Sequence, residues 1–247
     1  MKTNLQNPDH WEIRHTLLIL ALSLPFSLSG MTEPVWADDV PTDGMLLWLR
    51  ADRPGELDGG GGASLWPNRA PQPVGHAVQV DAAKRPGWVE SVAGLGGLPA
   101  FEFDGEDDFY HVPWLTIGSR ATVIMVVENA RQTEGGSHWR SVIAGDDDSF
   151  CDDATKYSFG FRRAGLDPLF VANLYYAPKK PHRLTEPVSR RPGYGFHAYS
   201  FRRDAGADDG MTLRVDGLQV AALTAQEEPP DFPGTGYTVG QGGDILG

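Results

Sequence analysis

Leu98-Pro99-Ala100-Phe101-Glu102-Phe103-Asp104-Gly105-Glu106-Asp107-Asp108-Phe109-Tyr110-His111-Val112 admits two readings that lead to different structures. Two short apolar and aromatic runs flank a segment rich in carboxylates with one glycine. Read as one extended strand, Glu102, Asp104 and Glu106 alternate and share a face. Such a set could serve glycoside hydrolysis, which in its retaining form needs two carboxyls about 5–5.5 Å apart. Read instead through Asp104-Gly105-Glu106-Asp107-Asp108, the same letters are turn chemistry. The two apolar runs then become the arms of a hairpin. The glycine and the run of acids after it favour the turn.

Working outward, the N-terminus reads as an export signal. Lys2 and Arg14 give a weakly basic start, Leu17 to Leu28 is an apolar run, and Val35-Trp36-Ala37 has small residues at a cleavage position. The apolar run is shorter than the roughly 20 residues of a membrane span. Cleavage is expected after Ala37, leaving residues 38–247 as one domain with no stable membrane span. The expected location is outside the cell, in the periplasm or on the envelope. Of the net charge of −12, the leader accounts for only −1, from Lys2, Arg14, Asp9, Glu12 and Glu33. Such an acidic chain lacks the basic footprint of nucleic-acid binding. Cys151 is the only cysteine, so no intramolecular disulfide can form.

The body of the chain is a series of short apolar or alternating runs punctuated by 30 glycines and 19 prolines. That pattern predicts an all-β sandwich of many short strands. Met45–Ala51 reads as a nearly fully buried strand, and Ser64–Asn68 as an ordered turn with Trp66 packed beneath the Asp58–Gly62 loop. His76–Val80 is a weak strand and Arg85–Val89 an edge segment. Ala121–Glu128 is β-branched and apolar on both faces, and is expected to be central and covered on each side. Ser141–Gly145, Tyr157–Arg162, Leu169–Tyr175 and Phe196–Arg203 are further strands, and proline-rich Ala177–Gly193 a surface loop. Met211–Val215 and Leu218–Ala221, joined by Asp216-Gly217, form a predicted hairpin with a two-residue turn. Tyr237–Gly240 is the last strand.

Leu46–Asp52, Arg85–Val89, Leu98–Ala100, Phe103–Phe109, Ala121–Val123, Phe196–Arg203, Leu213–Gly217 with Val220-Ala221, and Tyr237–Gly240 follow one another in an order that resembles the concanavalin A-like, laminin-G-like jelly-roll domains of exported bacterial proteins. The resemblance implies two antiparallel sheets packed as a curved sandwich. It also implies one more strand beyond Val239-Gly240, inserted into a sheet. Here the sequence stops at Asp244-Ile245-Leu246-Gly247, so it is expected to be a piece of a longer protein. A sheet lacking an interior strand would leave a groove open to another chain.

Glu102, Asp104 and Glu106 also resemble the nucleophile, helper and acid/base of laminarinase-type hydrolases, which share the architecture. Gly105 stands where that pattern has an apolar residue, and no tryptophan-rich cleft sequence surrounds it. The expectation is therefore a non-catalytic module that binds carbohydrate or a cell-surface protein, with the hydrolase as alternative. A structural or adhesive piece of a larger envelope protein is the third reading.

Two acidic groups could hold Ca²⁺, which takes oxygen ligands from loops. One is Asp104, Asp107 and Asp108; the other is the Asp146–Asp153 loop, with Asp146, Asp148 and Asp152 as ligands. Solvated acidic turns are the plainer reading of both. Trp139, Tyr175, Tyr176, His182 and Tyr194, in or beside predicted loops, could stack on sugar rings. His197 and Tyr199, mid-strand, read as packed residues rather than ligands.

Overall fold

The structure is a computed structural model that describes residues 15–18, 43–104, 107–115, 117, 121–129, 139–145, 156–164, 167–175, 181–185, 187, 192–203, 210–224 and 236–240. The strands in chain order are β1 (His15–Leu18), β2 (Leu65–Trp66), β3 (Ala77–Val78), β4 (Gly87–Val92), β5 (Leu98–Phe103), β6 (Tyr110–Val112), β7 (Ala121–Asn129) and β8 (Trp139–Gly145). They continue with β9 (Lys156–Ala164), β10 (Asp167–Tyr175), β11 (Pro181–Thr185), β12 (Gly195–Arg203), β13 (Met211–Val215), β14 (Leu218–Leu223) and β15 (Tyr237–Val239). One sheet has the order β14-β13-β12-β7-β1-β5-β4, and the other β11-β10-β9-β8-β15-β6-β3-β2. The chain is an all-β, two-sheet antiparallel sandwich, as its alternating runs predict. Among the described residues no helix is long and apolar enough to cross a membrane.

The opening stretch forms two strands around its acidic segment, but they are not a hairpin. β5 belongs to the seven-stranded sheet and β6 to the eight-stranded one. Asp104, Asp107 and Asp108 stand where the chain passes from one layer to the other. The aromatic residues of the stretch explain why. Phe101, Phe103 and Tyr110 are all buried, and their rings meet Trp66 and one another between the sheets. Trp66 lies 4.5 Å from Phe101 and 5.7 Å from Tyr110, and Phe103 lies 6.3 Å from Tyr110. A flat hairpin would set these side chains beside each other on one surface; crossing layers lets them bury area from both sides. A second aromatic group, Phe159 with Phe201 and Phe170 stacked on Tyr199, fills the core further along.

Four other expectations need correction. Met45–Ala51 makes no strand, only the single bridge Leu49 to Asn68. Its order comes from the Asn68 side chain, which accepts from the N–H groups of Trp48 and Ala70 and donates to the Leu46 carbonyl. Leu65–Trp66 is a strand rather than a turn, and Trp66 is a core residue whose indole N–H donates to the Arg50 carbonyl. Ala177–Gly193 contains β11, which pairs with β10 from Tyr175 opposite Pro181 to Val171 opposite Thr185. Pro181 takes the first position of that strand at the sheet edge, where its missing N–H costs no ladder bond. β7 is central, between β12 and β1, but it is not covered throughout: Thr122 and Ile124 are exposed on its outer face.

The β13–β14 hairpin forms as its Asp-Gly turn requires, with φ of 50° at Asp216 and 79° at Gly217. Gly240, at φ 84°, ends β15 against the Phe103 ring, where any Cβ would collide with the ring carbons at 2.1 Å. Only glycine lets the last described strand lie this close to the aromatic core.

Candidate functional site

Strand directions bring one set of features to one end of the sandwich. β5, β7 and β15 finish at this end, and β6, β8 and β12 begin there. It therefore carries the corner with Asp104, Asp107 and Asp108, the outward-facing Glu102 and Glu128, Gly193-Tyr194, and the Asp216-Gly217 turn. Trp139, which opens β8, lies at the same end. Tyr175, closing β10, and His182 in β11 lie at the opposite end, where β8 finishes at Gly145 and leads to the second acidic loop. Among the aromatic candidates, Trp139 and Tyr194 are thus separated from Tyr175 and His182 by the length of the strands. Glu106, Asp146, Asp148, Asp152 and Tyr176 lie outside the described residues.

The corner is built by its own carboxylates. Asp104 Oδ1 accepts the N–H groups of Asp107 at 3.2 Å and Asp108 at 3.4 Å. Asp108 Oδ2 accepts the Asp104 N–H at 3.0 Å. These reciprocal bonds supply partners that the ladder no longer provides once β5 ends at Phe103. Gln79 holds the far side, donating from Nε2 to the Phe109 carbonyl.

Asp104, Asp107 and Asp108 each offer a carboxylate oxygen within 4.8 Å of the others. Asp104 and Asp107 are exposed, whereas Asp108 is buried. Burial pushes the Asp108 carboxyl up to about 6, and the charges of Asp104 and Asp107 add to that; the Asp104 N–H pulls the other way. A hard cation at this point would meet oxygen donors only, and would offset the repulsion that raises Asp108. The donor set fits Ca²⁺, which takes carboxylate oxygens in flexible geometry.

Glu102 is half-buried, and its neighbours Phe101 and Phe103 face the core. The alternation places Glu102 on the outer face and ends at Phe103, so Asp104 belongs to the corner rather than to an extended catalytic face. The sequence reading missed Glu128. It closes the most apolar strand, and burial followed by the nearby charge of Glu102 holds its carboxyl above the usual range. A lone acid at the end of an apolar run was the available signal.

His197, as expected, is a packed residue. Its ring nitrogens lie 2.7 Å from Asp216 Oδ2 and 2.8 Å from the Gly193 carbonyl, while Asp216 Oδ1 accepts the Ala198 N–H. These contacts tie the approach to β12 to the β13–β14 turn. Tyr194 is exposed beside them. Trp114, also missed, is 74% exposed with φ 62°, but it follows β6 and so stands at the opposite end.

No family model matches the chain, and no curated protein matches it. Among solved structures it is similar to the enzymatically active domain of tailspike protein 2 of bacteriophage CBA120. The TM-score is 0.40 at 9% identity, over 62% of this chain and 24% of that one. The match thus spans about a quarter of the tailspike chain.

Proposed function

We propose that this domain is an exported, non-catalytic recognition module whose acidic end holds a carbohydrate or cell-surface ligand, with Ca²⁺ as a bridging cation. The observation that carries the reading is the self-bonded corner. Three carboxylates converge within 4.8 Å at the rim, on the end that also presents exposed Tyr194. A cation there could share its remaining coordination positions with sugar hydroxyls, and an exposed aromatic face suits a sugar ring. The same corner weighs against the hydrolase alternative, because β5 ends at Phe103 and Asp104 lies beyond the extended face that a catalytic set would need.

Glycan-array binding by the full chain, with Ca²⁺ and then with EDTA, tests the reading. Binding that weakens on chelation and in Asp107→Asn supports it. Calorimetry that detects no Ca²⁺ uptake, together with glycan binding indifferent to EDTA, would remove the cation from the account. No binding to glycans or to cell surfaces would leave the structural or adhesive reading in its place.

A further inference from the structure

The seven-stranded sheet contains a strand that comes from far away in sequence. β1 pairs antiparallel with β5, setting His15 opposite Phe103, Thr16 opposite Glu102 and Leu17 opposite Phe101. On its other side it pairs antiparallel with β7, setting Leu17 opposite Val127 and Leu18 opposite Val126. β5 and β7 therefore run parallel to each other, two strand spacings or roughly 10 Å apart. Among the described residues neither has another partner on the side facing that gap. Without an intervening strand, both would present unpaired N–H and C=O groups in the interior of a sheet.

The gap has a definite chemistry on each face. Residues paired across strands share a face. The position held by Leu17 shares the face of Phe101 and Val127, both buried core residues. The position held by Thr16 lies on the outer face with Glu102 on one side. One step back in the same register, Glu128 is on the other. The two carboxyls are near enough that the charge of Glu102 adds to burial in raising Glu128. An occupant thus meets an apolar wall on one face and a pair of acids on the other.

We infer that the gap between β5 and β7 is a strand-acceptor site. It takes an extended antiparallel segment with an apolar residue on the core face and a small or cationic residue between Glu102 and Glu128. Its occupant in the full chain is the chain's own His15–Leu18. The segment that reads as an export leader thus doubles as an interior strand, and its departure would open the site to a strand of the same pattern.

Two experiments on the full chain test this. In a Cys151→Ser background, Thr16→Cys with Glu102→Cys places two thiols at directly paired positions, within the reach of a disulfide. Mild oxidation should link them within one chain, while Ser23→Cys with Glu102→Cys should not. Failure to link, equal linking by the control, or a link only between two copies would overturn the assignment. The second experiment uses a fluorescent peptide of residues Glu12–Ala21. Leu17→Pro removes a ladder donor from the resident strand, so this variant should bind the peptide more tightly than the wild-type chain. A peptide carrying Thr16→Lys should bind about tenfold tighter than one carrying Thr16→Glu, as expected for two cross-strand charge pairs. Binding indifferent to that charge would refute the role of the two acids. If Leu17→Pro does not fold, the disulfide pair still decides the occupant.

Discussion

Asp108→Asn isolates the electrostatic cost of the acidic corner. The Asp108 carboxyl is raised from 3.8 to about 6, chiefly because it is buried. In the unfolded chain it loses its proton near the lower value, and in the folded chain only near the higher one. Between the two the folded state binds more protons, so stability is full below 3.8 and falls as pH rises through about 6. A shift of about 2 units corresponds to about 3 kcal/mol. Asparagine keeps an oxygen that can accept the Asp104 N–H but has no charge to bury. Urea unfolding in EDTA at pH 4, 5, 6 and 7.5 should show the variant gaining on wild type, by about 2 kcal/mol at the highest pH relative to the lowest, because part of the effect is already present at pH 4. Ca²⁺ should shrink that gain, because the cation stabilises only the ionised carboxylate. A difference between the two proteins that stays constant or narrows as pH rises would show that Asp108 carries no burial cost.

Gly240→Ala should destabilise the fold by about 3 kcal/mol or more in denaturant unfolding, since its Cβ would strike the Phe103 ring and its φ is positive. An unchanged midpoint would show that β15 does not lie on that ring. Asn68→Ala should cost about 2–4 kcal/mol, because the side chain serves two buried or half-buried N–H donors and one carbonyl. Hydrogen exchange should then localise the loosening to residues 46–51 and 68–70; uniform protection across them would contradict the role given to Asn68.

The alternating runs made the sandwich legible, along with strands β9 and β10 and the Asp216-Gly217 hairpin, because each is encoded by local periodicity and turn residues. What the sequence hid was set by distant partners. Met45–Ala51 looks like a strand because it is apolar, yet the Asn68 side chain fastens it in place of a ladder, with Leu49 and Ala51 buried. The 98–112 stretch looks like a hairpin because turn chemistry does not say which sheet receives the second arm; the aromatic cluster with Trp66 decides that. Tyr194 and the Asp104 corner were readable as rim features. Glu128 showed in the sequence only as a lone acid closing an apolar run, since its significance lies in its register with Glu102 across another strand. β11 was obscured by prolines and charges that a sheet edge tolerates.

The acidic end is proposed to bind without cutting. Reducing-sugar release from a β-glucan, measured side by side for wild type and Glu102→Gln, decides between binding and cleavage. Neither protein should release sugar above background. Release by the wild-type chain that disappears in Glu102→Gln would contradict that and restore the catalytic reading of Glu102, Asp104 and Glu106.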